Sequence, residues 1–344
     1  MTASAEQLVI NFSHFPPIGE EDWRYVFATA RVRVLEIQML SRSLLLDMAN
    51  ADSFEAATEM LNGTEYAIGT GAGSDEVENV LLSLRTQVRD LFKELVVDEE
   101  VLDLLCARED FANMRLALRR KLTNKPLGTD YSNDGSILAE NFEQIFEAED
   151  YTPLPYYMRE AIEAAVLTYY TEKDIRQIDY AMDHHQTRHR IETAEKMGNV
   201  FLRELFRART DLTNIRTMLR LKFTESENTK VLIEGGYLGI DRLKHAMNTA
   251  YDSMAALFFG TPYYDLIESG VGYLAANNSF VRIESNCEKY LGGFLMQTRQ
   301  ITAGVQPIVA YLLLKEQEIR NVRLILTGKK NALDKRLILE RLGE

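Results

Sequence analysis

The chain has 344 residues, of which 46% are hydrophobic and 26% charged; that is ample material for a core and excludes an intrinsically disordered chain. Its formal charge of −13 argues against nucleic acid as a partner, because such binding needs cationic surface to displace counterions. Only Cys106 and Cys287 are present, far apart and without metal-type spacing, so free buried thiols in a reducing, cytoplasmic setting are expected.

Residues 1–22 read as an N-terminal extension without the basic region and apolar core of a signal peptide. From 23 to 51 the positions Val26, Ala30, Val34, Ile37, Leu40 and Leu44 recur at three and four, which predicts one long amphipathic helix. Asp52-Ser53 offers an N-cap for a short helix carrying Phe54, Ala57, Met60 and Leu61, ended by Asn62-Gly63. The glycine-dense stretch 69–74 has no Lys-Ser/Thr after it, and Asp75-Glu76 puts negative charge where a phosphate would sit, so it reads as an interhelical loop. Gly328-Lys329-Lys330 likewise lacks the rest of a phosphate loop. Helical periodicity continues along the chain and the prolines spare it, so the fold class is all-α. No run approaches the ~18 apolar residues of a membrane span; the densest is 308–314.

A twelve-residue signature occurs three times, as 110–121, 211–222 and 318–329. The shared pattern is acid, apolar, any, Asn, apolar, Arg, with Lys closing the twelve: Asp110, Asn113, Arg115, Lys121; Asp211, Asn214, Arg216, Lys222; Glu318, Asn321, Arg323, Lys329. From ordinary residue usage such a match arises at about 10⁻⁵ per starting point, so three near-evenly spaced copies mark an internal threefold repeat. An aliphatic-acid pair stands about 33 to 35 residues upstream of each copy, with Glu78, Asp179 and Glu284 as the acids. A further echo joins Gly63-Thr64-Glu65-Tyr66 to Gly260-Thr261-Pro262-Tyr263. The loops at 124–134 and 225–229 follow the first two signatures, and cutting there gives repeats 23–125, 126–226 and 227–344.

On a helix, Leu212, Ile215 and Leu219 share one face, as do Phe111, Met114, Leu118 and Ile319, Val322, Leu326; that face is core. Asn is a poor helix former, so Asn113, Asn214 and Asn321 are expected to hydrogen-bond across a helix–helix contact. Arg115, Arg216 and Arg323 point about 140° away from the signature acid, and Glu78, Asp179 and Glu284 are their natural partners. His185, His189 and Glu192 lie near one helical face, compatible with a metal, but without a His-Glu-x-x-His frame the exposed helix face is the better reading. Neither a Ser-His-Asp order nor a Cys-x-x-Cys is present, so no catalytic, cofactor-binding or metal residue is assigned.

The chain resembles the C subunit family of archaeal and bacterial V-type (A-type) rotary ATPases, whose vacuolar counterpart is the d subunit. The resemblance rests on Tyr25, Ala30-Arg31-Val32-Arg33 and Glu36, on residues 211–216, and above all on residues 307–323 followed by Gly328. It implies three similar helical domains arranged with pseudo-threefold symmetry into a funnel, and a non-catalytic role. The implied part is a central-stalk rotor spacer between the central shaft and the membrane proteolipid ring, passing torque between ATP chemistry and proton or sodium translocation. It would sit peripherally on the cytoplasmic side, without a span of its own; residues 1–22 go beyond the usual family start. A helical-repeat scaffold or adaptor is the alternative, and a period near 100 is long for solenoid units of about 20–50 residues.

Overall fold

The computed structural model describes residues 14–69, 74–126 and 130–343, and among them every regular element is helical. In chain order the helices are α1 (Val26–Ile37), α2 (Arg42–Asn50), α3 (Phe54–Glu59), α4 (Ser74–Leu95), α5 (Glu99–Leu122), α6 (Ala139–Ala148), α7 (Tyr156–Glu172) and α8 (Arg176–Lys196). There follow α9 (Val200–Phe223), α10 (Ile240–Asn248), α11 (Tyr251–Met254), α12 (Tyr264–Asn277), α13 (Val281–Gln297), α14 (Val305–Lys330) and α15 (Lys335–Leu342). The described helices gather into two compact units, one of residues 98–249 and one that joins 12–97 to 250–344.

In the first unit the apolar stripe of α5, formed by Phe111, Met114 and Leu118, packs with Phe142 and Phe146 of α6, Met158 and Ile162 of α7, and Ile178 and Met182 of α8. Apolar residues at helical spacing can leave water only by facing one another, and these do. The turn from α8 to α9 uses Gly198 at φ +64, a left-handed conformation that glycine adopts without a Cβ clash. Asn199 then caps α9 by accepting from the Leu202 N–H at 3.0 Å.

The second unit is built on α14. Its Ile319, Val322, Ile325 and Leu326 are buried with Leu81 and Leu84 of α4, Met48 and Ala49 of α2, Ala57 of α3 and Ile338 of α15. The start of α14, from Val305 to Leu313, is buried on every face, so it is a central helix, whereas α4 and α2 each bury one side. Chain before α1 is part of this unit: Gln306 donates to the carbonyls of Ile18 and Glu20, the Asp22 N–H donates to Ala303 O at 2.9 Å, and Phe15 packs on Tyr290.

The long helix expected over 23–51 is two helices, α1 and α2, broken at 38–41. Ser41 caps α2 by accepting from the Leu44 N–H, and the Leu40 N–H donates to Glu318, 278 residues away, instead of to a carbonyl four residues back. The core face of α1 is also rotated from the one that periodicity selects. Val34 and Ile37 are 59% and 84% exposed, whereas Val32 is fully buried. Polar anchors set that rotation: the Thr29 hydroxyl donates to Gly304 O and accepts from Gly304 N, and Arg33 donates to the carbonyls of Thr298 and Ile301. Cys287 is buried but Cys106 only half so, and of the glycine-dense stretch, residues 70–73 lie outside the described residues.

Truncation along α1 tests this face. Val32→Ala is expected to cost about 2 kcal/mol in urea unfolding, as the loss of two buried methyl groups does, and Val34→Ala or Ile37→Ala less than about 0.5 kcal/mol.

Candidate functional site

The signature residues divide into two faces. A helix turns about 100° and rises about 1.5 Å per residue, so the acid, the Asn three residues on and the Lys eleven on fall within one stripe about 16 Å long. The Arg five residues on falls on another face.

On the first face the signature helix clamps the chain that follows it. Asp110 is fully buried and accepts from Ser136 N at 3.0 Å, Ser136 Oγ at 2.6 Å and Ile137 N at 3.2 Å. Asn113 pairs with the backbone of Ser132 at two points, its Oδ1 accepting from the N–H at 2.9 Å and its Nδ2 donating to the carbonyl at 2.8 Å. Lys121 closes the far end on Phe146 O at 3.0 Å, in the last turn of α6. The second copy repeats this residue for residue: Asp211 accepts from Tyr237 N and Leu238 N at 3.0 Å each, Asn214 clasps Ile233 N and O, and Lys222 donates to Met247 O at 2.9 Å. The central Asn therefore binds a loop backbone, not a neighbouring helix. A loop pressed against a core has N–H and C=O groups with no ladder partner, and a side-chain amide supplies one donor and one acceptor to satisfy them.

Each loop carries a glycine 25 residues after its acid because the carboxylate sits against the backbone. A Cβ on Gly135 would lie 2.1 Å from Asp110 Oδ1, and one on Gly236 2.0 Å from Asp211 Oδ1. Burial pushes the Asp110 carboxyl above its usual range, and the bonds from Ser136 and Ile137 pull against that rise.

The third copy takes its partners from the other end of the chain. Glu318 accepts from Leu40 N at 2.6 Å and Tyr66 OH at 2.8 Å, and Lys329 donates to Ala51 O at the end of α2. Leu40 stands one residue before the cap of a short helix, as do Ile137 and Leu238. Glu318 also bonds the fully buried Lys315, which reaches Glu65 as well. Among the described residues Asn321 clasps no loop; half-buried, it accepts from Gln317 Nε2 at 3.1 Å.

On the second face, Arg115 reaches Asp183 at 2.6 Å and lies 3.6 Å from Asp179, which Arg119 also pairs at 2.7 Å. Arg323 makes two bonds to Glu78, at 2.8 and 3.0 Å. Arg216 instead donates to Leu212 O and Thr213 Oγ1 on its own helix. Glu284 lies 3.9 Å from Arg341.

The histidine group of α8 is not one exposed face. His184 Nε2 lies 2.9 Å from Lys230 O and His185 Nδ1 lies 2.8 Å from Arg188, whereas His189 stacks on Tyr157 with ring centres 3.7 Å apart. Burial against that ring pushes His189 down to about 4. Glu192 is exposed. The two-copy echo is a turn in which each Thr donates to the carbonyl three residues back and accepts from the N–H two residues on, placing Tyr66 and Tyr263 in full burial.

A family model described as ATP synthase (C/AC39) subunit matches residues 28–341. The C subunit of a V-type sodium ATPase from Enterococcus hirae is 25% identical over 318 residues, covering 91% of this chain and 96% of the relative. The C subunit of a V-type ATP synthase from Thermus thermophilus is 26% identical over 319 residues, covering 89% and 94%. The C subunit of an A-type ATP synthase from Pyrococcus abyssi is 23% identical over 353 residues, covering 95% and 93%.

Two measurements check the site. Gly236→Ala forces Asp211 off its two N–H donors and is expected to lower stability by about 2–4 kcal/mol in denaturant unfolding, whereas Gly239→Ala, with open space around its Cβ, changes it by less than about 0.5 kcal/mol. For His189 the folded value lies below the unfolded one, so the unfolded chain binds more protons between about pH 6.5 and 4, and stability falls as pH falls through that window. His189→Phe, which keeps a ring against Tyr157, is expected to lose about 1–2 kcal/mol less than wild type over the same window; parallel curves would reject the assignment.

Proposed function

Because the chain belongs to the ATP synthase (C/AC39) subunit family, being matched over residues 28–341, we propose that it is a non-catalytic central-stalk part of a V-type or A-type rotary ATPase. In this reading it links the central shaft to the membrane proteolipid ring on the cytoplasmic side, as three similar helical domains set in pseudo-threefold symmetry around a funnel. It passes torque between ATP chemistry and proton or sodium translocation. The family match over nearly the whole chain carries the proposal, and relatives of both sodium ATPase and ATP synthase name support it.

The clamps support it mechanically. A torque-bearing spacer has to resist shear, and three signature helices, each tied over two turns or more to a separate stretch of backbone by charge-assisted bonds, add directional and stronger contacts to the close apolar packing that already resists it. Among the described residues no helix is long and apolar enough to cross a membrane, so attachment to the membrane sector rests on protein contacts in this proposal.

Removing the chain from its native complex and adding it back tests the role. Vesicles without it are expected to lose ATP-driven ion pumping while the detached head still hydrolyses ATP, and re-addition restores pumping. Full pumping without the chain would reject the coupling role. The purified chain alone is expected to neither bind nor hydrolyse ATP above background in equilibrium dialysis and phosphate-release assays. Asn214→Leu with Arg216→Ala is expected to cost several kcal/mol, roughly 3, by stranding the Ile233 backbone, and to leave membranes poor in attached head after a mild salt wash.

A further inference from the structure

In the unit of residues 98–249, α5 and α8 run antiparallel: Arg115 meets Asp183 and Arg119 meets Asp179, so four residues forward on one helix is four residues back on the other. Carrying that register two turns further, by seven residues on each helix, places Arg108 of α5 opposite Arg190 of α8. The other unit has the same register between α14 and α4. There Arg323 holds Glu78, and seven residues before Arg323 and eleven after Glu78 stand Glu316 and Arg89, a buried ion pair at 3.1 Å. Arg108 also lies seven residues before Arg115, and Arg190 eleven after Asp179, so the arginine of the pair is kept and its glutamate is replaced by a second arginine. Arg209 of α9, two residues before Asp211 as Glu316 is before Glu318, adds a third.

Arg190 is half-buried, with its guanidinium 5.7 Å from the centre of the Phe206 ring, and among the described residues it has no hydrogen-bond or ion-pair partner. Phe206 is one helical turn before Arg209, which brings that arginine to the same place. The charges acting on Arg190 are Arg209, Arg108 and Arg115, against Asp183, which already bonds Arg115. Burial first, and then those arginines, push Arg190 down to about 9. In a chain of net charge −13 this convergence is not a general property of the surface. A guanidinium held beside like charges without an acid of its own opposes folding, and a bound anion removes that opposition.

We propose that Arg108, Arg190 and Arg209 form an anion site that takes an oxyanion of the carboxylate or phosphate class, in the place where Glu316 supplies a carboxylate in the other unit. Guanidinium forks match two-oxygen anions in geometry as well as charge. The oxyanion comes either free in solution or as an acidic side chain of another protein chain.

The test uses the purified full chain, titrated at constant ionic strength with sodium phosphate or with an acetylated glutamate-rich peptide against sodium chloride. A ligand at tenfold its Kd is expected to raise the thermal midpoint by about 2 °C. Arg190→Met should abolish the rise. Arg108→Glu, on an exposed side chain, transplants the Glu316–Arg89 pair and should raise the midpoint in chloride while also abolishing the response. A rise with phosphate and peptide alike assigns a free small oxyanion, and a rise with the peptide alone assigns a chain-borne carboxylate. No rise with either, an undiminished rise in Arg190→Met, or a lower midpoint for Arg108→Glu in chloride would overturn the site.

Discussion

A carboxylate buried in mid-helix is the constraint from which much of this structure follows. Asp110 and Asp211 have no exposed surface, and a buried charge is tolerated only when donors surround it. The helix that carries the acid cannot supply those donors, since its own N–H groups are spent on carbonyls four residues back. They come from the N–H groups of a passing loop, and each further feature follows in order. The loop must approach within contact of the carboxylate, which requires glycine; its other polar groups are then cut off from water, which requires the Asn; and the short helix after it ends beside the signature Lys, which takes up a carbonyl left open there.

The third signature shows that the requirement is chemical and not a matter of sequence order. Helix α14 lies near the end of the chain, and the segment it binds lies near the beginning, so Leu40 and Ala51 stand where Ile137 and Phe146, or Leu238 and Met247, stand in the other copies. The sequence repeat cut at 125 and 226 therefore parts each signature from the loop it clamps, whereas the contacts group each signature with its loop. In the unit joining 12–97 to 250–344 this closure spans most of the chain, and contacts of such separation carry a loop-closure entropy cost that local contacts do not.

The helices and the core faces of the three signatures were legible from period alone: Phe111, Met114, Leu118, Leu212, Ile215, Leu219, Ile319, Val322 and Leu326 are all buried. The acid and Asn were legible as unusual, but not their partners. Periodicity reports which side of a helix is apolar, and a loop has no period; Gly135 and Gly236, 101 residues apart like the first two signatures, were the available signal. Helix α1 misled for a related reason. Its Val26, Val34 and Ile37 have helical spacing, yet the polar anchors of Thr29 and Arg33 set the rotation, and no hydrophobic pattern records a hydroxyl that bonds a backbone 275 residues away.

Glu318 in place of aspartate has a physical account. The segment reaching the third acid is the break between α1 and α2, without a glycine to let backbone approach closely, and the backbone donor it offers is the Leu40 N–H. The longer side chain makes up the difference by reaching side-chain donors, Tyr66 OH and the Lys315 ammonium, and Lys315 is balanced in turn by Glu65 and the face of the Tyr66 ring. Burial and the neighbouring carboxylates push the Tyr66 hydroxyl far above its ordinary range, which keeps it a donor. Such a network has a different mechanical character from the loop clamps. Lys315 and Glu318 are the buried pair of this network, and removing either charge leaves the other short of its buried partner and costs about 3–5 kcal/mol. For a part proposed to carry torque, this gives a rigid knot at the helix that joins both ends of the chain.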